Sequence, residues 1–355
     1  MMPRATDVVA RPAAVLLPQG YVPRLGVRET ERAIKFIKDR FEVALARELN
    51  LVRVTAPLFV LANSGINDTL TGTEEPISFR VADLGANAEV VQSLAKWKRL
   101  ALADYGLRVG EGLYTDMNAI RPSERLDNLH SIYVDQWDWE RVISAEERRP
   151  AFLKRIVRKI YKVIRRLEAA VCARYPEVGP PLLPRRIHFA SAEELARRYP
   201  ELSPPEREDV ICQEHGAVFV MGIGTPLGDG RPHDLRAPDY DDWTSTVDGQ
   251  TGLNGDILVW YPLLQCAMEL SSMGIRVDAE ALRRQLQLCG EEKRQRLYYH
   301  RRLLRGELPL SIGGGIGQSR LCMFYLRKAH IGEVQAALWP EQMRQACREH
   351  GVFLL

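Results

Sequence analysis

The sequence lacks several features that would assign it to a class at once. It has no apolar run long enough to span a membrane, and the short apolar segment at residues 13–17 is too brief for a signal-peptide core. Its charge is nearly balanced, with 49 basic and 46 acidic residues, so the net charge of +3 does not demand a polyanionic partner. The six cysteines are widely spaced without any metal-type pattern. These absences favour a reduced, cytoplasmic protein.

The length of 355 residues is sufficient for a complete hydrophobic core, and no internal repeat or low-complexity tract interrupts the chain. Residues 1–28 combine prolines and scattered arginines without helical periodicity, which predicts a flexible N-terminal arm. Residues 29–355 are then expected to form a single domain.

Hydrophobic periodicity predicts the main elements of that domain. Helices are expected at residues 29–50, 151–175, 278–288 and 291–305. Strands are expected at residues 51–57, 112–120, 131–143, 217–223 and 255–262. Because the strands cluster without regular alternation with helices, the predicted fold class is α+β, with an antiparallel β-sheet flanked by helices.

A glycine-rich run, residues 313–320, has the sequence GGGIGQSR and leads into an apolar stretch. Glycines let a backbone approach a ligand closely, a helix start offers free N–H groups, and Arg320 adds a positive fork, which together suit a nucleotide phosphate. The alternative is a tight turn between a strand and a helix. The spacing matches neither the P-loop nor the Rossmann pattern.

One predicted strand carries an unusual row of polar residues. In an extended segment Gln136, Asp138 and Glu140 share one face, while aromatic residues occupy the other. Either this face is partly hydrated, or it binds a polar ligand. Arg121 follows the preceding strand and is well placed to hold a carboxylate or phosphate, although a surface arginine is the simpler interpretation.

Two carboxylates lie on neighbouring extended segments, Asp256 and Glu269, with Ser272 close behind. Paired oxygen ligands of this kind can hold Mg²⁺ on the phosphates of ATP, but isolated carboxylates are usually only solvated. The basic face of the helix at residues 151–175 is either solvated or a nucleic-acid surface.

These features together resemble the catalytic core of the class II aminoacyl-tRNA synthetases. The first helix, the strand after it and Pro57 resemble the dimer-forming first motif, and residues 315–320 resemble the third motif, GxGxxR. Residues 120–124, IRPSE, resemble the second motif, FRxE, with one extra residue, which puts a role for Glu124 in doubt.

Longer strings resemble ammonia-dependent asparagine synthetase, the aspartate–ammonia ligase family built on that core. The similarity extends over residues 30–339 and weakens at residues 61–81, where Asp68 stands for the family's site aspartate. The matching strings are SLAKWKR at 93–99, GEGLYT at 110–115, YVDQWDWER at 133–141, RAPDYDDW at 236–243, GLNGDILVW at 252–260 and ELSSMGIR at 269–276.

The resemblance implies that residues 29–355 form one catalytic domain that amidates L-aspartate with ammonia. ATP would activate the side chain as a β-aspartyl adenylate, and AMP and pyrophosphate would be released. It implies phosphate contacts from Arg121, Arg320, Gly315 and Gly317, and Mg²⁺ on Asp256 and Glu269. It implies aspartate or ammonia contacts from Asp68, Ser93, Lys98, Gln136, Asp138, Asp241 and Ser272, with Asp68 as the first choice for ammonia.

Three alternatives stay open beside this interpretation. An aspartyl- or asparaginyl-tRNA synthetase-like enzyme would share the adenylate chemistry, but we expect no separate anticodon-binding domain and no nucleic-acid partner. An inactive nucleotide-binding relative is disfavoured because both arginines and both carboxylates are present. Glutamine as the nitrogen donor would need a nucleophile such as an N-terminal cysteine, and Met2 follows Met1. The Pro57 motif favours a homodimer, without a membrane partner.

Overall fold

The computed structural model describes residues 15–68, 70, 74–228 and 230–355. Nine α-helices lie within these residues: α1 (Val27–Leu49), α2 (Ala95–Asp104), α3 (Pro150–Arg174), α4 (Ala192–Arg198), α5 (Pro204–His215), α6 (Ala279–Leu288), α7 (Tyr298–Leu304), α8 (Gln318–Leu326) and α9 (Glu341–Glu349). Thirteen strands accompany them: β1 (Leu51–Arg53), β2 (Phe59–Leu61), β3 (Ser78–Val81), β4 (Ala86–Val90), β5 (Gly112–Ile120), β6 (Tyr133–Val142), β7 (His188–Ser191), β8 (Ala217–Met221), β9 (Thr246–Val247), β10 (Gln250–Thr251), β11 (Asn254–Tyr261), β12 (Cys266–Ile275) and β13 (Ser311–Gly317).

Eight strands form the main sheet, in the order β1-β5-β6-β13-β12-β11-β8-β7. The six inner strands pair antiparallel throughout, which confirms the predicted α+β class. The two outer pairs, β1 with β5 and β7 with β8, are parallel, so the sheet as a whole is mixed. Each of these pairs is joined through intervening helices, and such long crossovers are what parallel pairing requires.

One face of the sheet is covered by α1, α3 and α8. Alternation along β6 places Trp137 and Trp139 on this face, where both are fully buried, and the ring of Trp137 lies 4.5 Å from that of Phe41 in α1. The apolar stripe of α3 packs here too, because Leu153, Ile160 and related residues recur at helical spacing. This layer is the main hydrophobic core.

The opposite face of the sheet is partly covered by α2, which packs on β5, β6 and β13. A small antiparallel sheet, β2-β4-β3, lies beside it. The row of polar residues on β6 points to this side, where the elements leave a cavity. The fold therefore separates an apolar face that provides stability from a polar face that is open to ligands.

The glycine run does not form the loop or turn that the sequence suggested. Residues 313–317 form most of β13, in the middle of the sheet, and α8 begins immediately afterwards at Gln318. Central strands seldom contain so many glycines, since a glycine contributes no side chain to packing. Here the missing side chains make room for polar groups of the neighbouring strand, as described below.

Other boundaries also shift. The predicted helix at 291–305 divides into a 3₁₀ turn at Glu292–Arg296 and α7, and β1 ends four residues before Pro57.

Residues 1–14 of the predicted arm lie outside the described residues. Its described part is held to the domain, since the Leu16 backbone exchanges two hydrogen bonds of 2.8 Å with the Asn128 side chain. The division into arm and catalytic domain stays a prediction. No helix in the described part of the chain has the length and apolarity to cross a bilayer.

Candidate active site

A cavity of about 390 Å³ opens on the polar face of the sheet, above β6, β13 and β12. All the predicted site residues except Asp68 and Asp256 line it: Ser93, Lys98, Arg121, Gln136, Asp138, Asp241, Glu269, Ser272, Gly315, Gly317 and Arg320. These residues come from six separate segments of the chain, so the fold brings together groups that are far apart in sequence. Glu124, whose role was in doubt, lines the same cavity.

Strand register explains much of this arrangement. Asp138 on β6 is the cross-strand partner of Gly315 on β13, which in turn pairs with Ser272 on β12. Ser272 pairs with Asp256 on β11. Four predicted site residues therefore form one row across adjacent strands, and neighbouring strands are about 4.8 Å apart.

The glycines of β13 are needed for space rather than for an unusual backbone conformation. A Cβ atom at Gly315 would lie 2.2 Å from Gln136 Oε1 and 2.8 Å from Asp138 Oδ1. At Gly313 it would lie 1.9 Å from Glu140 Oε2. The strand therefore lacks side chains where those of β6 lean over it, which gives the glycine run a structural function in this site.

Lys98 lies on α2 with its side chain fully buried. Its Nζ donates to the Gly314 carbonyl at 3.0 Å and pairs with Asp138 Oδ2 at 2.8 Å. An ammonium group has three donors, so one is left for a ligand in the cavity. The lysine thus joins α2 to both β13 and β6 beneath the cavity.

Two guanidinium groups face the cavity from different elements. Arg121 follows β5, where its backbone N–H donates to Ile132 O at 2.8 Å, and its buried Nε has no hydrogen-bond partner among the described residues. Arg320 lies in the first turn of α8, and its Nη1 donates to Glu269 O at 3.2 Å and lies 3.7 Å from Glu269 Oε2. Both are suited to bind an anionic group.

Asp256 and Glu269 are close enough to influence each other. Burial raises the pKa of Asp256 to about 7, the Arg236 guanidinium opposes the shift, and the Glu269 carboxylate adds to it. Asp256 Oδ1 is buried without a hydrogen-bond partner among the described residues, while Oδ2 pairs with Arg236. No group of three or more His, Cys, Asp or Glu with metal-binding geometry occurs in the described part of the chain. Two carboxylates nevertheless fit Mg²⁺, which typically takes one or two from the protein and further oxygens from substrate phosphates.

A buried ion-pair network supports the cavity from below. Arg276 binds Glu140 through Nε at 3.0 Å and Nη2 at 2.8 Å, and its Nη1 pairs with Asp241. Ser311 Oγ also donates to Glu140 at 2.7 Å. The positive charge of Arg276 holds the pKa of Glu140 below its usual range despite complete burial. Burial raises the pKa of Asp241, with Arg276 opposing the shift.

Asp68 is buried next to this cavity rather than among its lining residues. Its backbone N–H donates to Asn67 Oδ1 at 2.9 Å, and Asn67 Nδ2 donates to Glu89 at 3.2 Å. The Asp68 carboxylate contributes to a raised pKa of Tyr240, after the larger effect of desolvation. Tyr240 lines the cavity, so Asp68 is close enough to influence one of the lining residues.

Several residues that line the cavity were not predicted from sequence patterns, among them Arg236, Tyr240 and Arg276. Arg236 and Arg276 occur in the long strings that carry the family resemblance, but nothing in their local spacing indicates an ion pair. The available signal was the charge of Arg276 directly after a strand, because a charge that is buried there needs a partner.

A family model described as aspartate-ammonia ligase matches residues 28–351. The chain is similar to aspartate–ammonia ligases of Bacteroides thetaiotaomicron, at 59% identity over 96% of this chain and 99% of the relative, and of Clostridium perfringens, at 55% identity with the same coverage. Among solved structures it resembles asparaginyl-tRNA synthetase of Pyrococcus horikoshii complexed with asparaginyl-adenylate, with a TM-score of 0.65 and 17% identity over 88% of this chain and 70% of that one.

The asparaginyl-tRNA synthetase of Entamoeba histolytica gives a TM-score of 0.64 at 13% identity, covering 87% of this chain and 66% of that one. At such low identity these two structures show the fold alone, which is the class II synthetase core predicted from the motifs. The family model and the relatives, which are similar over nearly the full length of this chain, show the family as well as the fold. On their basis the chain belongs to the aspartate–ammonia ligase family.

Proposed function

We propose that this protein makes L-asparagine from L-aspartate and ammonia, with ATP converted to AMP and pyrophosphate. A carboxylate has no leaving group, so replacing one of its oxygens with nitrogen requires activation. In this proposal an aspartate side-chain oxygen attacks the α-phosphate, and ammonia then displaces AMP from the β-aspartyl adenylate. The protein contributes mainly positioning and charge neutralisation.

One observation carries this proposal: guanidinium groups for phosphates and a buried lysine with a donor to spare line the same cavity. Arg121 and Arg320 are assigned to the phosphate groups, with Arg121 bridging the aspartyl oxygen and the α-phosphate. Gly315 and Gly317 leave space for the nucleotide beside β13. Lys98, Ser93 and Gln136 are assigned to the amino acid, with the third donor of Lys98 directed to its carboxylate.

Asp256 and Glu269 would hold Mg²⁺, with Ser272 as a weaker contributor beside them. When bound, the ion supplies neutralisation of phosphate charge. Asp256 Oδ1 lacks a hydrogen-bond partner among the described residues, which is consistent with an oxygen that serves as a ligand. The two carboxylates therefore complement Arg121 and Arg320, the arginines assigned to the phosphates.

The incoming nitrogen needs a group that binds ammonium and accepts a proton, because ammonia is mostly protonated at neutral pH. Asp138 and Asp241 are already paired with Lys98 and Arg276. They are therefore better suited to hold the substrate amino group through their remaining oxygen capacity. Asp68, which is buried and influences the pKa of Tyr240, is assigned to ammonia.

A homodimer and a cytoplasmic location complete the proposal. Val43 on α1 and Val52 on β1 are 55% and 53% exposed, which is consistent with an apolar surface that a second copy covers. All six cysteines have free thiols, as expected in a reducing compartment.

The test supplies L-aspartate, MgATP and ammonium chloride to the purified protein and measures asparagine, AMP and pyrophosphate. Equal amounts of the three products support the proposal; ADP and phosphate, or a requirement for tRNA, contradict it. A parallel reaction with glutamine in place of ammonium tests the nitrogen donor. Arg320→Ala and Asp256→Ala should each lose product formation, whereas Arg348→Ala, in an exposed ion pair on α9, should retain it.

A further inference from the structure

Arg236, which the sequence did not single out, is held by two carboxylates at the edge of the cavity. It lies between β8 and β9, and its side chain is 12% exposed. Nη1 pairs with Asp234 and Nη2 pairs with Asp256. Asp234 is 61% exposed, whereas Asp256 is 6% exposed, so the guanidinium bridges solvent and the buried carboxylate.

The two carboxylates assigned to Mg²⁺ therefore both have an arginine beside them. Arg236 contacts Asp256 directly, and Arg320 lies 3.7 Å from Glu269. A divalent cation at Asp256 would stand next to the Arg236 guanidinium, and the two positive charges would repel each other. Metal alone must therefore displace Arg236 from Asp256. The arginine would then keep only the exposed Asp234 as a partner, and the loss of its buried carboxylate is unfavourable.

A triphosphate removes that penalty because it offers the arginine a new partner. Arg236 lines the same cavity as Arg121 and Arg320. Its planar guanidinium can bind phosphate oxygens in a bidentate manner. The Nε of Arg236 is buried without a hydrogen-bond partner among the described residues, so the side chain has a donor in reserve.

We propose that Arg236 exchanges its ion pair with Asp256 for the phosphates of ATP, so that metal and nucleotide each strengthen the binding of the other. The inference rests on the proposed use of ATP. By linkage the effect is reciprocal, and a coupling of about 10- to 100-fold is typical of such systems. Arg236 is thus a binding residue through which Mg²⁺ and ATP each bind weakly when the other is absent.

The first test measures Mn²⁺ binding alone, from the electron paramagnetic resonance signal of free Mn²⁺, at pH 8.5 without nucleotide. Arg236→Met should bind Mn²⁺ at least tenfold more tightly than the unchanged protein. Arg121→Met is the matched control, because Arg121 lines the same cavity but pairs with no carboxylate among the described residues; it should leave Mn²⁺ binding unchanged. Arg236→Lys keeps the positive charge and should keep Mn²⁺ binding weak.

Adding Asp256→Asn to Arg236→Met should abolish the gain, which assigns the bound metal to this carboxylate. The unchanged protein provides a test that needs no variant: calorimetry should show α,β-methylene ATP binding at least tenfold more tightly with Mg²⁺ than without. Unaltered Mn²⁺ affinity in a folded Arg236→Met protein, or the absence of Mg²⁺ dependence in the unchanged protein, would overturn the inference. Neither assay contains aspartate or ammonia, so both outcomes are independent of whether asparagine is the product.

Discussion

Alanine substitutions at Gly313 and Gly315 should separate stability from activity, although the two glycines are only two residues apart on β13. An added Cβ at Gly315 meets the ends of two side chains, Gln136 and Asp138, which line the cavity. The half-buried end of Gln136 can withdraw toward the cavity, whereas the buried Asp138 carboxylate is held by Lys98. An added Cβ at Gly313 lies 1.9 Å from Glu140 Oε2 and 2.6 Å from Arg276 Nη2, in a fully buried ion pair.

The expected magnitudes follow from those surroundings. Gly315→Ala should cost about 1–3 kcal/mol of unfolding free energy, as is usual for overpacking. Gly313→Ala should cost about 3–5 kcal/mol, because it separates a buried ion pair that has nowhere to move. Displacing Gln136 and Asp138 should lower activity about 100-fold in Gly315→Ala, since a misplacement near 1 Å has that effect.

Urea unfolding gives the free energies, and release of AMP with aspartate and ammonium gives the activity. Gly228→Ala is the matched control, because within the described part of the chain its added Cβ would meet only Glu193 Oε1, at 3.6 Å. It should change stability by less than about 0.5 kcal/mol. Full activity in Gly315→Ala, or a Gly313→Ala protein as stable as Gly315→Ala, would refute this account of the glycine strand.

Three further predictions concern residues outside the reacting groups. Burial lowers the pKa of His330 from 6.5 to about 4, and its neutral Nδ1 accepts from Gly332 N at 2.9 Å. The unfolded chain therefore takes up this proton first, and stability should fall by up to about 3 kcal/mol as pH decreases from 6.5 to 4. Urea unfolding should show a smaller decrease in His330→Asn. Glu140→Gln should lower the unfolding free energy by about 3 kcal/mol because it leaves Arg276 undercompensated, and thermal melting would detect this. Val43→Asp with Val52→Asp should shift the mass in multi-angle light scattering toward the monomer, and an unchanged dimer would place the interface elsewhere.

Local sequence patterns predicted the elements whose structure depends on periodicity. The apolar stripe of α3 and the alternation of apolar and polar residues along β6 are clear in the sequence, because one face of each element packs on a large apolar core. For the same reason the shared face of Gln136, Asp138 and Glu140 was correctly predicted. Glu140, however, does not line the cavity with the other two; it lies beneath it and holds Arg276.

Local sequence patterns could not predict the glycine strand or the ion pairs that Arg236 and Arg276 form. Whether residues 313–317 form a loop or a strand depends on β6 and β12 on either side, which are distant in sequence. Likewise, Arg276 pairs with Glu140 across 136 positions, and Arg236 pairs with Asp256 across 20. A buried charge indicates that a partner exists, but only the packed structure identifies it.

Charge pairing also distinguishes Arg121 from the other cations of the cavity. Most of these cations are paired with acids: Lys98 with Asp138, Arg236 with Asp256, Arg276 with Glu140 and Asp241, and Arg320 more loosely with Glu269. Among the described residues the Arg121 guanidinium has no such partner, and its Nε is buried. A buried donor without a partner is unfavourable, so an anion that binds Arg121 satisfies this Nε without breaking an existing pair. Arg121 should therefore be the first of these arginines to engage a phosphate or carboxylate, and the exchange at Arg236 should follow it.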